Sequence, residues 1–308
     1  MGPAVKFGTR GSALALWQTH YVMSCLKDHN IGLETSHEIY STKGDRVIDV
    51  PLPQVGGKGL FTAELESALH SGGIDCAVHS LKDLPTDQPD GLTLGAIMPR
   101  EDAHDVLISR AGLCLAELPK GATIGTSSLR RGTQLLRVRP DIKLLDIRGN
   151  VDTRIKKALD TAGPYDAILL AAAGVNRLGF TSVVTETLHA DIVVPAPGQG
   201  AVAVQMRSDW DGCSYFSSIN CIDTLLCVTA ERAFLRALGG GCSVPIGAYA
   251  TIQNHILTIT TRVCAPDASA AITTTLSIPT LSIESAYQLG CDIASLAIEQ
   301  GASRLLTH

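Results

Sequence analysis

The sequence predicts an α/β protein with two α/β domains and a smaller C-terminal α+β domain. A strand, a polar turn and a helix recur in the same order in two halves of the first 200 residues, and this pattern changes after about residue 219. The chain has 308 residues, more than one hydrophobic core usually holds, and 45% of them are hydrophobic against 18% charged. The composition is therefore that of a globular protein of two or three domains.

The first strand, turn and helix occupy residues 5–26. We predict a short strand at residues 5–8, a turn at residues 9–11, and a helix that Ser12 is placed to cap. Four residues recur at helical spacing and predict one stripe of this helix: Leu14, Trp17, Tyr21 and Cys25. Arg10 consequently lies where the strand becomes a helix.

The same pattern returns at residues 122–136, where a strand (residues 122–125) and a turn (residues 126–128) lead into a helix. This helix opens with Leu129, Arg130 and Arg131. A second pair of apolar strands, residues 75–79 and 165–170, also matches between the halves. The same residue types occur at the strand-to-helix turn of both halves, which predicts two related α/β halves. These residues are Gly8, Thr9 and Ser12 in the first half, and Gly125, Thr126 and Ser128 in the second.

Two turn-rich stretches, residues 99–105 and 195–200, bracket the second half and predict paired hinge crossings. The predicted boundaries are residues 4–98 with 199–216 for domain 1, residues 104–194 for an inserted domain 2, and residues 219–308 for domain 3. In domain 3 we expect a helix at 222–238, strands at 248–251, 256–263 and 272–278, and a final helix at 283–300.

Composition also excludes several classes of protein. Aromatic residues make up only 4% of the chain and the net charge is −5, which argues against a nucleic-acid-binding module. None of the nine cysteines forms a Cys-x-x-Cys pair, so reduced thiols are expected rather than a disulfide scaffold or a zinc site. The longest uncharged stretch, residues 237–261, is broken by glycines and a proline. We expect a cytoplasmic monomer that binds no metal and no membrane.

Cationic residues are concentrated in one region. Residues 121–177 contain ten arginines and lysines against five aspartates, a surplus of five positive charges in an acidic protein. We expect Arg137, Arg139, Lys156 and Lys157 to lie on solvated helix faces. Five others stand at strand-to-helix junctions, where guanidinium groups can converge on carboxylates or phosphates: Arg10, Arg130, Arg131, Arg148 and Arg154.

Two further motifs could carry chemistry. Lys82 and Asp83 leave the strand at residues 77–78 and could supply an anion contact and an acid/base, or form a surface ion pair; the motif alone leaves both open. Cys242 follows three glycines, which favours a reactive thiol over a small buried cysteine. The glycine-rich stretch at residues 56–61 lacks the spacing of a nucleotide-binding loop.

Nine segments, in this order, resemble the porphobilinogen deaminase family, also called hydroxymethylbilane synthases. They cover much of residues 5–250: GTRGS (8–12), VGGKGLF (55–61), AVHSLKDLP (77–85), IGTSSLRR (124–131), IRGNVDTR (147–154), LAAAGVNRLG (170–179), PAPGQGAV (195–202), TAERA (229–233) and GGCSVPIG (240–247). The resemblance implies a transferase of porphyrin and haem biosynthesis that condenses four porphobilinogen molecules head to tail into linear hydroxymethylbilane, releasing ammonia. It also implies a covalent dipyrromethane cofactor, held by a thioether, and two domains like the halves of periplasmic binding proteins.

The resemblance assigns roles to individual residues. The cofactor attachment falls on Cys242 and the catalytic carboxylate on Asp83, while Lys58 and Phe61 match a flexible active-site loop. Cofactor contacts fall on Lys82, Ser128, Arg130, Arg131, Arg148 and Arg154, and substrate contacts on Arg10, Ser12, Thr126, Arg148, Arg154 and Arg177. The alternative from the residues alone is a non-catalytic, hinge-closing anion-binding protein, which would need neither Asp83 nor Cys242.

Overall fold

The computed structural model describes residues 4–46, 60–240, 244–280 and 282–306. The predicted site residues Lys58 and Cys242 lie outside these ranges. The described chain divides into two compact units, one made of residues 4–46, 60–100 and 201–225, and the other of residues 101–200 and 226–306.

The first unit contains a five-stranded sheet in the order β2-β1-β3-β10-β4. Its strands are β1 (Ala4–Arg10), β2 (Glu34–Tyr40), β3 (Cys76–Ser80), β4 (Leu92–Ile97) and β10 (Val202–Arg207). Strand β1 is parallel to β2 and β3, whereas β10 is antiparallel to β3 and β4. The sheet is therefore completed by a strand that follows β4 by about 100 residues.

Three helices belong to this unit: α1 (Ala13–His29), α2 (Lys43–Arg46) and α3 (Ala63–His70), with short 3-10 helices at Leu81–Asp83 and Asp211–Ile219. Ser12 caps α1 as predicted, its Oγ accepting a hydrogen bond from the Ala15 amide at 3.3 Å. Phe7 and Phe216 pack edge to face in the core.

The most buried face of α1 is rotated by about one residue from the predicted stripe. Its buried residues are Ala15, Gln18, Thr19, Val22 and Leu26, whereas Leu14, Trp17, Tyr21 and Cys25 are only half-buried. The displacement has a polar cause, because Thr19 Oγ1 bonds Thr9 Oγ1 at 2.7 Å and Gln18 Nε2 bonds Ser80 Oγ at 2.9 Å. Buried polar side chains that find partners cost little, so a face containing them can turn inward.

The second unit contains another five-stranded sheet, in the order β7-β6-β8-β5-β9. Its strands are β5 (Asp105–Ser109), β6 (Thr123–Gly125), β7 (Lys143–Leu145), β8 (Ala167–Ala171) and β9 (Glu186–Leu188). The helices are α4 (Leu129–Val138), α5 (Val151–Leu159) and α6 (Ala172–Arg177), with a 3-10 helix at Thr181–Val183. Ser128 caps α4 through a hydrogen bond from the Arg131 amide.

The two sheets share one plan. In each, the second strand in the order is parallel to its two neighbours and the fourth strand is antiparallel to both strands beside it. Strand β1 corresponds to β6 and β3 to β8, the pairs of segments that the sequence matched. The predicted fold class is confirmed, because two α/β sheets of one plan precede a smaller three-stranded domain. The exact domain boundaries stay a prediction.

The C-terminal part of the second unit is an antiparallel sheet of β11 (Ile246–Gln253), β12 (Ile256–Cys264) and β13 (Ala271–Pro279). Helix α7 (Ile222–Ala237) precedes it, and α8 (Ile283–Glu299) and α9 (Ala302–Leu306) follow it. The buried side chains of α7, α8 and this sheet form one hydrophobic core that includes Phe234, Ile259 and Ile293. Helix α8 begins with a reciprocal capping box between Ser282 and Ser285.

The cysteines of the described ranges differ in their exposure to solvent. All eight cysteines of the described ranges are free, but Cys213 is exposed. Only Cys76, Cys227 and Cys264 are buried, and the other four are half-buried. No cluster of three metal-ligating side chains occurs in the described part of the chain. Nor does any helix found there have the length and apolar character to cross a bilayer.

Candidate active site

In the first unit, Lys82 and Asp83 lie in the 3-10 turn that follows β3. Leu81 and Leu84 on either side are 0% and 3% exposed, and they anchor the turn in the core. The Leu81 amide also donates to the Ala201 carbonyl at 3.0 Å. Lys82 and Asp83 are half-buried, and the Asp83 carboxylate forms no hydrogen bond or ion pair within the described residues.

His79 lies on β3 immediately before this turn and is 6% exposed. Its Nε2 atom has no hydrogen-bond partner in the described ranges. Burial, assisted by the nearby positive charge of Arg10, lowers the pKa of His79 from its ordinary value to about 4. A neutral imidazole is therefore packed beside the predicted catalytic turn, and sequence reasoning had not singled it out.

Arg10 ends β1 and contacts Asp45 of α2 and Phe61 in the turn before α3. Its Nε donates to both carboxylate oxygens of Asp45, at 3.2 and 3.1 Å, and its Nη2 makes a short contact with Asp45 Oδ1. The guanidinium also lies over the ring of Phe61, with Cζ 4.3 Å from the ring centroid. Two predicted site residues, Arg10 and Phe61, are thus brought together in this unit.

In the second unit, Arg130 and Arg131 begin α4 and are almost completely buried, at 5% and 7% exposure. Both form an ion pair with Asp105, which begins β5 and is itself 0% exposed: Arg130 Nη1 lies 2.7 Å from Oδ2 and Arg131 Nη2 lies 2.7 Å from Oδ1. The structure brings these two predicted ligands together around an internal carboxylate. Two buried cations require such a partner, because desolvation without one is costly.

Further hydrogen bonds hold this cluster in place. Gln199 Nε2 donates to Asp105 Oδ1 at 3.0 Å, and Arg130 Nη1 donates to the Val194 carbonyl at 2.8 Å. Burial alone would raise the pKa of Asp105, but the charges and hydrogen bonds of the two arginines hold that pKa far below its usual range. The carboxylate is therefore ionised, and the three side chains together keep one net positive charge.

The C-terminal domain reaches the same cluster through Arg262 of β12. Arg262 Nη1 donates to Gln134 Oε1 at 3.1 Å and to the Ile192 carbonyl at 2.9 Å. Gln134 lies one turn along α4 from Arg130 and donates to the Arg130 carbonyl at 3.2 Å. A continuous polar network thus joins the third domain to the buried arginine pair within one unit.

The other predicted residues occupy strand and helix ends as expected from the sequence. Thr126 follows β6 and is buried, with its Oγ1 accepting a hydrogen bond from the Ser128 amide at 3.2 Å. Arg148 and Arg154 are half-buried around the start of α5, where Arg154 Nε donates to the Gly149 carbonyl at 2.7 Å. Arg177 ends α6, is 9% exposed, and donates to the Gly200 carbonyl at 2.8 Å.

One residue expected on a solvated face has a structural role instead. Arg139 forms a bidentate pair with Asp141, through Nε and Nη2 at 2.8 Å each, and also donates to the carbonyls of Leu115 and Leu118. Its side chain is 18% exposed. The pattern of charge on the helix could not reveal this, because its carbonyl partners come from a loop about 20 residues earlier.

Leu238 and Gly239 form a tight turn after α7. Gly239 has a φ of +64°, and a Cβ on Gly240 would lie 2.6 Å from the side chain of Leu235. A side chain at Gly239 would be strained by this backbone conformation, and a side chain at Gly240 would require the Leu235 side chain to shift. Earlier on α7, the buried Glu231 accepts hydrogen bonds from the amides of Gly198 and Ala250, both at 2.7 Å.

Sequence reasoning missed three acidic residues that organise these sites: Asp45, Asp105 and Glu231. A signal existed for Asp105, because a carboxylate that opens the apolar strand Asp105–Ser109 must be buried with a partner. No comparable signal marks Asp45, whose partner is 35 residues away in the chain.

The fold and these side chains define a class of protein. It is an α/β protein whose arginines lie at strand and helix ends, where guanidinium groups can bind carboxylate ligands. Residues 5–213 match the family model described as porphobilinogen deaminase, dipyromethane cofactor binding domain, and residues 225–299 match its C-terminal domain. The chain belongs to the porphobilinogen deaminase family.

Individual relatives agree with this assignment. The porphobilinogen deaminase of Syntrophotalea carbinolica is 44% identical over 304 residues, which cover 98% of this chain and 95% of the relative. That of Geobacter sulfurreducens is 46% identical over 305 residues, covering 99% and 94%. Among solved structures, the methionine-binding protein MetQ matches with a TM-score of 0.42 and 13% identity, covering 69% of this chain and 88% of that one.

These comparisons confirm the predicted transferase family and its dipyrromethane cofactor, and they support the enzyme rather than the non-catalytic anion-binding alternative.

Proposed function

We propose that this chain condenses four porphobilinogen molecules head to tail into hydroxymethylbilane, with Asp83 as its catalytic acid and base. Membership in the porphobilinogen deaminase family supports the reaction. The position of Asp83 supports its role, because the turn that carries it is anchored by the buried side chains of Leu81 and Leu84. Because this turn is anchored, the Asp83 carboxylate can occupy the same position in each of the four condensations.

The chemistry of the reaction requires a carboxylate near the reacting centre. Loss of ammonia from porphobilinogen leaves a pyrrole that carries developing positive charge, and an ionised carboxylate stabilises such a charge and accepts or returns protons. Guanidinium groups cannot do either. Asp83 is therefore assigned the catalytic role, and Lys82 beside it is assigned an anion contact.

The arginines are proposed to bind the carboxylates of the substrate and of the growing chain. Each pyrrole unit carries an acetate and a propionate, so every condensation adds two negative charges. Arg10, Arg148, Arg154 and Arg177 are proposed as substrate ligands together with Ser12 and Thr126. Because Asp105 occupies Arg131 Nε and Nη2, only the remaining N–H groups of Arg130 and Arg131 would face a ligand.

The donor set fits a dipyrromethane cofactor. Arg130 and Arg131 retain one net positive charge after pairing with Asp105, and Arg130 Nε and Nη2 form no hydrogen bond within the described ranges. We propose that these two residues hold the cofactor carboxylates with Lys82, Ser128, Arg148 and Arg154, and that Cys242 forms the thioether. When bound, the group supplies the nucleophilic pyrrole carbon from which the chain is extended.

Intact mass spectrometry of the purified protein tests the attachment site. The expected result is a mass increase equal to two pyrrole units in the wild type and its absence in Cys242→Ser. Cys213→Ser, which changes an exposed thiol, is the matched control and should keep the adduct. Active protein without the added mass, or an adduct that survives in Cys242→Ser, would contradict the assignment.

Steady-state kinetics test the catalytic residue. We expect Asp83→Asn to lower kcat by about two orders of magnitude or more while porphobilinogen still binds, because the carboxylate acts in the transition state. Asp87→Asn, four residues further along the same loop and exposed, is the control and should leave kcat close to the wild-type value. Near-wild-type turnover of Asp83→Asn would remove Asp83 from the mechanism.

Two finer properties complete the proposal. We propose that the protein acts in the cytoplasm, since the eight described cysteines are free thiols, and that it acts as a monomer on porphobilinogen as its small-molecule substrate. The proposed boundaries are domain 1 at residues 4–98 and 199–216, domain 2 at 104–194, and domain 3 at 219–308.

A further inference from the structure

We propose that Asp45 is a positioning residue for substrate binding, which fixes the guanidinium of Arg10 so that its outer edge can meet a carboxylate of porphobilinogen. Asp45 belongs to none of the motifs that the family resemblance uses. The inference rests on the proposed function, because it concerns how Arg10 meets the substrate of that reaction.

Asp45 occupies only one edge of the guanidinium. Its oxygens contact Arg10 Nε at 3.2 and 3.1 Å and make the short contact with Nη2, whereas Nη1 forms no hydrogen bond within the described residues. A guanidinium presents one edge through Nε and one amino group and a second edge through both amino groups. The second edge, formed by Nη1 and Nη2, can therefore receive another carboxylate in bidentate geometry.

Asp45 is itself held firmly enough to act as a fixed point. Its Oδ2 accepts hydrogen bonds from the Thr42 amide at 3.2 Å and from Thr42 Oγ1 at 2.7 Å, and Thr42 is 0% exposed. Although partial burial would raise the pKa of Asp45, hydrogen bonds from Arg10 and Thr42 hold that pKa below its usual value. The Asp45 carboxylate consequently stays ionised, and its hydrogen bonds with Thr42 hold it in place if the Arg10 side chain changes rotamer.

Phe61 restrains the guanidinium from a second direction. Its ring lies over Arg10 with 4.3 Å between Cζ and the ring centroid. The ring is in turn packed against Gly44, where an added Cβ would lie 2.2 Å from a ring carbon, and the Gly44 amide donates to the Leu60 carbonyl at 2.8 Å. One edge and one face of the guanidinium are thus occupied by residues of the same small cluster.

Because of these contacts, the Arg10 side chain is already ordered when the protein folds and does not have to be ordered when the substrate binds. An arginine that is already in its binding rotamer loses less conformational freedom when it meets a ligand. The competing interpretation is that Asp45 neutralises Arg10 and competes with the substrate carboxylate. The two interpretations differ in the sign of the change in KM when Asp45 loses its charge.

The test is a double-mutant cycle on the purified holoenzyme, with porphobilinogen as the substrate. We expect Asp45→Asn to raise KM about fivefold with kcat nearly unchanged, because preorganisation of a binding group affects binding and not the chemical step. In an Arg10→Ala background, Asp45→Asn should cause no further rise, since Asp45 acts only through Arg10. A general loss of structure would lower kcat in both backgrounds.

Two further variants keep the test decisive. Thr42→Val removes a hydrogen bond that fixes Asp45 without changing any charge, and should raise KM in the same direction by a smaller factor. Glu38→Gln removes the carboxylate of the exposed Lys6 to Glu38 ion pair on the same sheet and should leave KM unchanged. The temperature of thermal unfolding identifies any variant that fails to fold.

The possible outcomes separate this proposal from the proposed function. A KM that falls or stays constant in Asp45→Asn, or equal increases in the wild-type and Arg10→Ala backgrounds, overturns the positioning role. Either result leaves the deaminase function standing so long as the wild type releases ammonia from porphobilinogen. An inactive wild type that carries the cofactor would overturn the proposed function instead.

Discussion

Asp105 shows how a single buried carboxylate can organise a cationic site. It lies between Arg130 and Arg131, accepts a hydrogen bond from Gln199, and is completely shielded from solvent. Removing one member of a buried ion cluster is more costly than removing a surface pair, because the remaining charges stay desolvated and unpaired. The arrangement fixes the geometry of two guanidinium groups.

We therefore predict that Asp105→Asn lowers the free energy of unfolding by about 3 to 5 kcal/mol, the range for a broken buried ion pair. Urea unfolding at neutral pH measures the change. Asp209→Asn is the control, because Asp209 is 86% exposed and lies 3.8 Å from Arg207; its effect should stay within about 0.5 kcal/mol. Equal effects of the two substitutions would show that the buried cluster contributes little to stability.

His79 leads to a prediction about pH. Its pKa is about 4 in the folded protein, against the ordinary value of 6.5, so the unfolded chain binds a proton in this interval that the folded chain does not. The His79 contribution to stability is therefore lost as the pH falls from 6.5 to 4. The free energy of unfolding should decrease by up to about 1.4 kcal/mol per pH unit from this residue.

A comparison of wild type and His79→Gln by urea unfolding between pH 7 and pH 4 measures that contribution. The variant should show a shallower loss of stability over the same interval. His70→Gln, which replaces an exposed histidine at the end of α3, is the control variant. Parallel curves for wild type and His79→Gln would contradict the assignment.

At the scale of elements, Glu231 joins three segments that are distant in sequence. From α7 it accepts hydrogen bonds from the Gly198 amide in the segment before β10 and from the Ala250 amide in β11. Both acceptors are oxygens of one buried carboxylate, so the helix holds a loop and a strand with a single side chain. Hydrogen bonds to a charged group contribute about 1.5 to 3 kcal/mol each.

Glu231→Gln replaces one of these acceptor oxygens with an amide nitrogen that faces a backbone N–H group. We predict a loss of about 1 to 3 kcal/mol in the free energy of unfolding, because one buried donor is left unsatisfied. Glu299→Gln, on the exposed end of α8, is the matched control and should change stability by less than about 0.5 kcal/mol. A loss in Glu231→Gln no larger than in the control would mean that other contacts hold these segments.

The elements were largely predictable, and the exceptions have physical reasons. The matched segments at Gly8 and Gly125 predicted two sheets of one plan, because strand and helix periodicity and capping by Ser12 and Ser128 are local properties. The rotation of α1 was not predictable, since it depends on the partners that Gln18 and Thr19 find on other elements. Candidate residues could be named from motifs, whereas their partners Asp45 and Asp105 come from distant positions.

Charge distribution is a property of the whole molecule. The sequence places ten cationic residues against five aspartates in residues 121–177 of a chain with net charge −5. The count of charges in residues 121–177 overstates the positive charge available to a ligand. Asp105, which lies outside this region, forms ion pairs with both Arg130 and Arg131, and Asp141 forms an ion pair with Arg139. The remaining field depends on less buried residues such as Arg148 and Arg154, and on how far salt screens them.

This leads to a prediction about ionic strength. The Debye length falls from about 30 Å at 0.01 M salt to about 10 Å at 0.1 M, so attraction between a dicarboxylate and arginines that are not fully buried should weaken over this range. We expect KM for porphobilinogen to rise several-fold while kcat changes little, because approach and binding depend on long-range charge and the chemical step does not.

Arg148→Gln should show a higher KM at low salt and a flatter dependence on salt. Lys27→Gln makes the same change in net charge on the exposed surface of α1 and should behave like the wild type. If both substitutions altered the salt dependence equally, net charge rather than the placement of arginines would control substrate binding.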